Sequence, residues 1–135
     1  MPSMKDKTEE TKNRIIEVAK RHFSEKGFDA TRIHLIAKDV GVNKALIYYY
    51  FKNKEAILDH LIQTLLNDLS KIIMAFTKDN IIAMIKEGRL NIRDGHWRFM
   101  SEEDAGNFYE AGLRHCENMV DFVLAHRSVI RILVF

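Results

Sequence analysis

The only proline in the chain is Pro2. From residue 3 onward no position lacks a backbone N–H or carries a ring that blocks helical continuation. Six glycines and one proline in 135 residues are few for a fold built from many turns. The expected fold class is therefore all-α. The length argues for one domain, or a small domain with a partner module. Hydrophobic residues at 47% and charged residues at 30% exclude an intrinsically disordered chain. Cys116 is the single cysteine, so no disulfide forms within the chain, and a reducing, cytoplasmic location is expected. The start, MPSMKDKTEETK, is polar and has no apolar secretory core. The longest apolar run, Ala45 to Phe51, has seven residues, far below the roughly 18 of a membrane span.

Charge is unevenly placed. Residues 1–54 carry 12 Lys and Arg against 7 Asp and Glu, whereas residues 55–135 carry 9 against 12. A basic front on an acidic body suits a polyanion-binding head, although many solvated surfaces carry as much charge.

Apolar periodicity and capping residues divide the chain. Residues 1–7 read as a basic tail. Thr8 is the expected cap of a helix from about Glu9 to Lys26, with Ile15, Val18, Ala19, His22 and Phe23 on its inner face. Gly27 ends it. Thr31 is the expected cap of a short helix, Arg32 to Asp39, with Ile33, Ile36, Ala37 and Val40 inward, broken at Gly41. Asn43 caps a third helix, Lys44 to about Tyr50. Two short helices around a glycine turn form a helix-turn-helix pattern. Asn53 caps a long helix from Lys54 to about Phe76, and a short helix covers Asn80 to Glu87. Residues 88–100 are irregular in pattern, with an Asp94-Gly95 turn signal. Ser101 and Asp104 resemble a capping box ahead of a helix to about Ala125, whose apolar face is expected to be Tyr109, Leu113, Cys116, Val120 and Val123. Val129 to Phe135 opens another apolar segment. It stops without a cap, and truncation at Phe135 is the expectation.

The chemistry concentrates between Arg32 and Lys54. A recognition helix offers its first turn to base edges in a major groove. Here that turn holds Asn43, Lys44, Ala45 and Leu46. Lys44 can donate to guanine or to phosphate, and Ala45 and Leu46 can touch a thymine methyl. Tyr48, Tyr49 and Tyr50 point about 100° apart on a helix, so at least one hydroxyl is exposed and can donate to phosphate. Three helix N-termini, at Arg32, Lys44 and Lys54, each carry a cation where backbone N–H groups already favour an anion, and His34 lies beside the first. A lone surface lysine or tyrosine is ordinarily only solvated; the combination points to DNA.

The segments Phe28-Asp29-Ala30-Thr31, Ile36-Ala37, Gly41-Val42-Asn43-Lys44, Leu46-Ile47-Tyr48-Tyr49-Tyr50-Phe51 and Lys52-Asn53-Lys54-Glu55 resemble the tetracycline-repressor (TetR) family over roughly residues 11–62. The resemblance implies a three-helix helix-turn-helix DNA-binding domain, residues 1–54. It implies a helical ligand-binding and dimerisation domain, residues 55–135, incomplete if the chain is truncated. It further implies a dimeric transcriptional repressor on an inverted-repeat operator in double-stranded DNA, released by a small hydrophobic effector. Lys44, Ala45 and Leu46 take base-edge or groove positions. Asn43, Tyr48, Tyr49 and Lys54 take phosphate positions, with Tyr50 a less secure member. His34 stands where the family often has an Arg that reaches the operator, and Arg32 where it often has a phosphate-contacting Thr. Ala45 replaces a usual Gly, and Leu46 replaces a usual small hydroxyl residue, which removes a polar contact.

The body offers no comparable anchor, and its ligand-binding residues are left unassigned. Trp97, Phe99, Met100, Phe108, Tyr109 and Met119 read as core before pocket lining. His96, His115, Cys116 and His126 lack compact ligand spacing, so no metal and no cofactor are expected. No nucleophile motif, phosphate loop or carboxylate pair supports an enzyme. The rival reading is a helical protein-interaction module that does not bind DNA.

Overall fold

The computed structural model describes residues 1–134; Phe135, the last of the apolar segment from Val129, lies outside the described residues. The element order is α1 (Met4–Lys26), α2 (Ile33–Val40), α3 (Lys44–Tyr50), α4 (Lys54–Phe76), a π-helical turn (Thr77–Ile82), α5 (Ala83–Lys86), β1 (Leu90–Arg93), β2 (His96–Phe99), α6 (Glu102–Ala125) and α7 (Arg127–Val134). The protein is mostly helical, with one small hairpin. Among the described residues no helix is long and apolar enough to cross a membrane.

Two compact units are present. One is Met1–Leu65 with the segment from His126; the other is Leu66–Ala125. The motif-based boundary after residue 54 falls inside the first unit.

In the first unit, α1 starts earlier than the expected Glu9. Its cap is Ser3, not Thr8: Ser3 Oγ accepts from Asp6 N at 3.2 Å while Asp6 Oδ2 accepts from Ser3 N at 2.8 Å. This is a reciprocal capping box with Asp in the Glu position. Ile15, Ile16, Ala19 and Phe23 of α1 pack with Ile36, Ala37 and Val40 of α2, Ile47 of α3, Phe51, and Ile57 and Leu61 of α4 as the buried core of the head. Val18 and Ile33 are only half-buried. Helix α2 begins one residue later than expected. Its cap position is Arg32, which makes no side-chain capping bond. Thr31 is instead buried, and its Oγ1 donates to the Gly27 carbonyl at 2.8 Å. Gly41 takes the left-handed conformation (φ 85°, ψ 32°), and its N–H donates to Ala37 O. A side chain there is strained, which explains the glycine between the two short helices. Helix α7 packs on α1 in this unit.

Helix α4 ends at Phe76, as expected, but no break follows it. The chain stays helical through the π turn into α5, because nothing between Phe76 and Lys86 breaks a helix. Asn80 Nδ2 donates to Phe76 O within it at 3.2 Å. The segment read as irregular is an antiparallel hairpin, with Leu90 opposite Phe99 and Ile92 opposite Trp97. Asp94 (φ 50°) and Gly95 (φ 76°) are both left-handed, the pattern of the type I′ turn that matches strand twist. Alternation puts Leu90, Ile92, Trp97 and Phe99 on one face, and Asn91, Arg93, His96 and Arg98 on the other. Phe108 of α6 receives that apolar face: its ring lies 5.7 Å from Trp97, 5.3 Å from Phe99 and 5.9 Å from Phe76. Helix α6 begins as expected, with Ser101 Oγ accepting from Asp104 N at 3.0 Å. Its inner face is not the expected one. Ala111 and Phe122 are buried and Phe108, His115 and Met119 half-buried, whereas Tyr109, Leu113, Cys116, Val120 and Val123 are exposed.

Candidate nucleic-acid interface

The interface is built around α3, which is only seven residues long. A helix this short does not persist alone; it is held by its cap and its core anchor. Asn43 Oδ1 accepts from Leu46 N at 2.9 Å. Ile47 is fully buried and Phe51 nearly so. With Ile47 held inward, Lys44 in the first turn and Ala45, Tyr48 and Tyr49 are all exposed. Tyr49 is the most exposed of the three tyrosines, at 77%, and its ring stands edge-on to Tyr50 at 5.1 Å. Leu46 is half-buried and, with Val42, Asn43, Ala45 and Tyr49, lines a shallow open depression beside the helix. The exposed face of α3 therefore carries one ammonium, two phenol hydroxyls and a small apolar patch.

Arg32 and His34 stand exposed at the start of α2, and their side chains make no hydrogen bond or ion pair among the described residues. The same holds for Lys44. These groups are free to meet an incoming anion. Lys54 is placed differently. Its Nζ donates to Phe28 O at 2.7 Å, Asp29 O at 3.2 Å and Thr31 O at 3.3 Å, and it lies 4.4 Å from the centre of the Phe28 ring.

Beneath the interface, α1 and α2 are tied by polar groups that spacing along the chain does not reveal. Asp39 accepts from Arg21 Nη2 at 3.1 Å and sits 2.6 Å from His22 Nε2; His22 is buried. The hydrogen bond to His22 holds the Asp39 carboxyl below its ordinary value, with help from the charges of His22 and Arg21 against partial desolvation. Arg14 Nη2 donates to the Val40 carbonyl at the end of α2. His22 reads from the sequence as a core residue. Its partner lies 17 positions away, and only the fold brings the two together.

In the second unit, a groove of about 530 Å³ is lined by Lys71, Phe76, Asp79, Asn80, Arg114 and His115, among others. Phe76 and His115 stack at 4.4 Å. Trp97, Phe99 and Phe108 form the cluster described above, Met119 is half-buried, and Met100 and Tyr109, expected in the core, are exposed. Among the described residues no three His, Cys, Asp or Glu side chains stand close enough to hold a metal ion.

A capped short helix with an outward cationic and phenolic face, carried on a second short helix across a glycine turn, defines a helix-turn-helix domain. Residues 15–61 match the model of the bacterial regulatory proteins of the tetR family. The chain is 32% identical over 110 residues to the biofilm operon icaADBC HTH-type negative transcriptional regulator IcaR of Staphylococcus aureus, covering 73% of this chain and 59% of that protein. It is 44% identical over 61 residues to the probable HTH-type transcriptional regulator YttP of Bacillus subtilis, covering 45% of this chain and 30% of that one. The fold is similar to that of a crystal structure of a transcriptional regulator, described as of the TerR/AcrR family, from Aquifex aeolicus. Its TM-score is 0.60 at 24% identity, covering 93% of this chain and 55% of that one. The match to the tetR family lies in the head of the chain, residues 15–61. It spans less than two thirds of the length of these relatives.

Proposed function

We propose that the protein is a sequence-specific DNA-binding transcriptional regulator, acting as a ligand-responsive repressor in the cytoplasm. The observation that carries this reading is the geometry of α3. Ile47 anchors it, Asn43 caps it, and Lys44, Ala45, Tyr48 and Tyr49 stand outward, with no competing partner for the Lys44 ammonium among the described residues. Lys44, Ala45 and Leu46 approach base edges; Asn43, Tyr48 and Tyr49 meet phosphate; Arg32 and His34 meet the flanking backbone. A homodimer places two α3 helices in successive major grooves of an inverted repeat, ~34–36 Å apart. The likeness to a regulator named as negative supports repression over activation.

The groove beside the Phe76–His115 stack is the candidate effector site in residues 66–125. An effector there changes operator affinity only by binding the DNA-competent and incompetent states unequally, typically by ~1–3 kcal/mol. The test is an anisotropy titration of the chain against DNA flanking its coding region. Tight binding that falls steeply with salt and prefers one inverted repeat supports the reading. No binding at low salt refutes it and leaves a helical protein-interaction module.

A further inference from the structure

Helix α3 carries apolar surface where a helix in a major groove meets base edges. Val42, Asn43, Ala45, Leu46 and Tyr49 line the shallow depression beside it. Val42, Ala45 and Leu46 give the depression aliphatic carbon, and Tyr49 adds a ring that stands edge-on to Tyr50 at 5.1 Å. Polar groups in its wall are few and partly committed. Asn43 Oδ1 already accepts the Leu46 N–H at 2.9 Å, so neither of those two groups is left to read a base. The lining residues alternate along α3 with Lys44 and Tyr48, both exposed, so the depression is continuous with the cationic and phenolic surface of the same helix.

Such a surface discriminates between bases without a hydrogen bond. On the major-groove edges of the four bases, the C5-methyl of thymine is the apolar group; the other edges offer nitrogen and oxygen donors and acceptors. A donor or acceptor pressed against the Leu46 side chain loses its water and finds no partner, so the wrong base is penalised. A methyl group in the same place leaves water and gains carbon contacts. Leu46 is half-buried and directly precedes Ile47, which is fully buried. It therefore stands at the edge of the anchored core. Lys44 differs, because its flexible four-carbon stem turns to guanine or to phosphate alike.

We propose that Leu46 is a specificity-determining residue: with Val42 and Ala45 it holds the C5-methyl group of a thymine, so that each operator half-site carries a thymine against the first turn of α3. This rests on the DNA-binding reading above and names the base that the helix selects. The experiment uses the full chain, whose preferred duplex is first selected from a random-sequence pool. Each thymine of a half-site is then replaced in turn by deoxyuridine, which keeps every hydrogen-bonding group and lacks only the methyl. Affinity is read by anisotropy at one fixed salt concentration. The expected result is a loss of about fourfold at one thymine, the worth of one buried methyl group. In Leu46→Ala the same replacement changes affinity by less than about twofold, because the side chain that met the methyl is gone. That variant keeps the backbone N–H bonded by Asn43, and circular dichroism checks that it is folded. If it is not, Leu46→Gln, which keeps the length of the side chain but puts an amide in the depression, supplies the same comparison and is judged by the same outcomes. Equal binding of thymine and deoxyuridine at every position overturns the proposal, as does a selected half-site without thymine. A penalty that persists in Leu46→Ala also overturns it, since another residue then reads the methyl. These outcomes leave the DNA reading standing, whereas no binding at low salt refutes both.

Discussion

Asn43 allows stability and DNA affinity to be moved in opposite directions by changing one side chain. Its Oδ1 accepts the Leu46 N–H at 2.9 Å and caps a helix of only seven residues. Asn43→Ala removes that acceptor and costs about 1 kcal/mol. For a unit of this size that lowers the melting temperature by about 4–8 °C. Asn43→Asp keeps an acceptor in the same place and adds a negative charge at the positive end of the helix, worth ~0.3–1 kcal/mol in favour of the fold. The aspartate variant therefore melts at or above the wild-type temperature. On DNA the order inverts. A carboxylate about 4 Å from a phosphate is repelled by ~1 kcal/mol in bulk water and ~4 kcal/mol at an effective dielectric near 20, a loss of roughly 5- to 1,000-fold in affinity. Asn43→Ala weakens binding less, through fraying of the first turn. Melting by circular dichroism and anisotropy at one fixed salt concentration give both rankings. If Asn43→Asp binds DNA as tightly as the wild type, the first turn of α3 does not face the phosphates, and the interface is wrong. If Asn43→Ala melts like the wild type, the cap does not hold the helix.

Three further outcomes follow from single contacts. Lys44→Ala weakens the preferred operator more than random DNA by titration, and equal losses would exclude base readout at that position. Asp39 has its carboxyl held below the ordinary value of 3.8, so the stabilisation it provides is present above that pH and is lost as pH falls through the lower folded value. In acid melts the gap between wild type and Asp39→Asn should be constant at neutral pH and close below 3.8; a gap that stays open in acid would mean that the His22 contact does not favour the ionised form. Gly95→Ala forces a β-carbon into a backbone with φ 76°, costing ~1–2 kcal/mol in a two-residue turn. Trp97 lies on the adjoining strand 5.7 Å from Phe108, so its fluorescence should report the loosened hairpin, and an unchanged spectrum would place the turn strain elsewhere.

The legible parts of the fold were those whose signals are local. Asn43, Asn53, Gly27 and Gly41 mark the ends of helices through bonds or dihedrals spanning a few residues, and the structure places those ends where the residues indicate. The Ser3–Asp6 box carries the same kind of signal as Ser101–Asp104, but the charged residues around it read as a tail. The hairpin carried its period-2 alternation in four-residue strands, short enough for the flanking helical patterns to obscure it. Helix α6 failed for a different reason. It has two apolar stripes, Phe108–Ala111–His115–Met119–Phe122 and Tyr109–Leu113–Cys116–Val120–Val123, and both keep helical spacing. Periodicity establishes that a helix has a face, not which face wins. The choice is made by ring packing of Phe108 against Trp97, Phe99 and Phe76, and of His115 against Phe76, between residues far apart in the sequence.

The two lysines at helix starts make the same point about the site. Lys44 and Lys54 each follow an asparagine cap, and each opens its helix where an anion is welcome. By sequence they are equivalent candidates for phosphate. Their difference lies in what else is within reach of a four-carbon arm. Around Lys44 the chain offers no bonded acceptor among the described residues, so the ammonium stays exposed and available. Around Lys54 it offers the carbonyls of Phe28, Asp29 and Thr31, in the turn after α1, and an aromatic face, and the ammonium has acceptors for its protons within the chain. What surrounds a cation at a helix N-terminus is therefore set by tertiary structure, which spacing along the chain does not reveal.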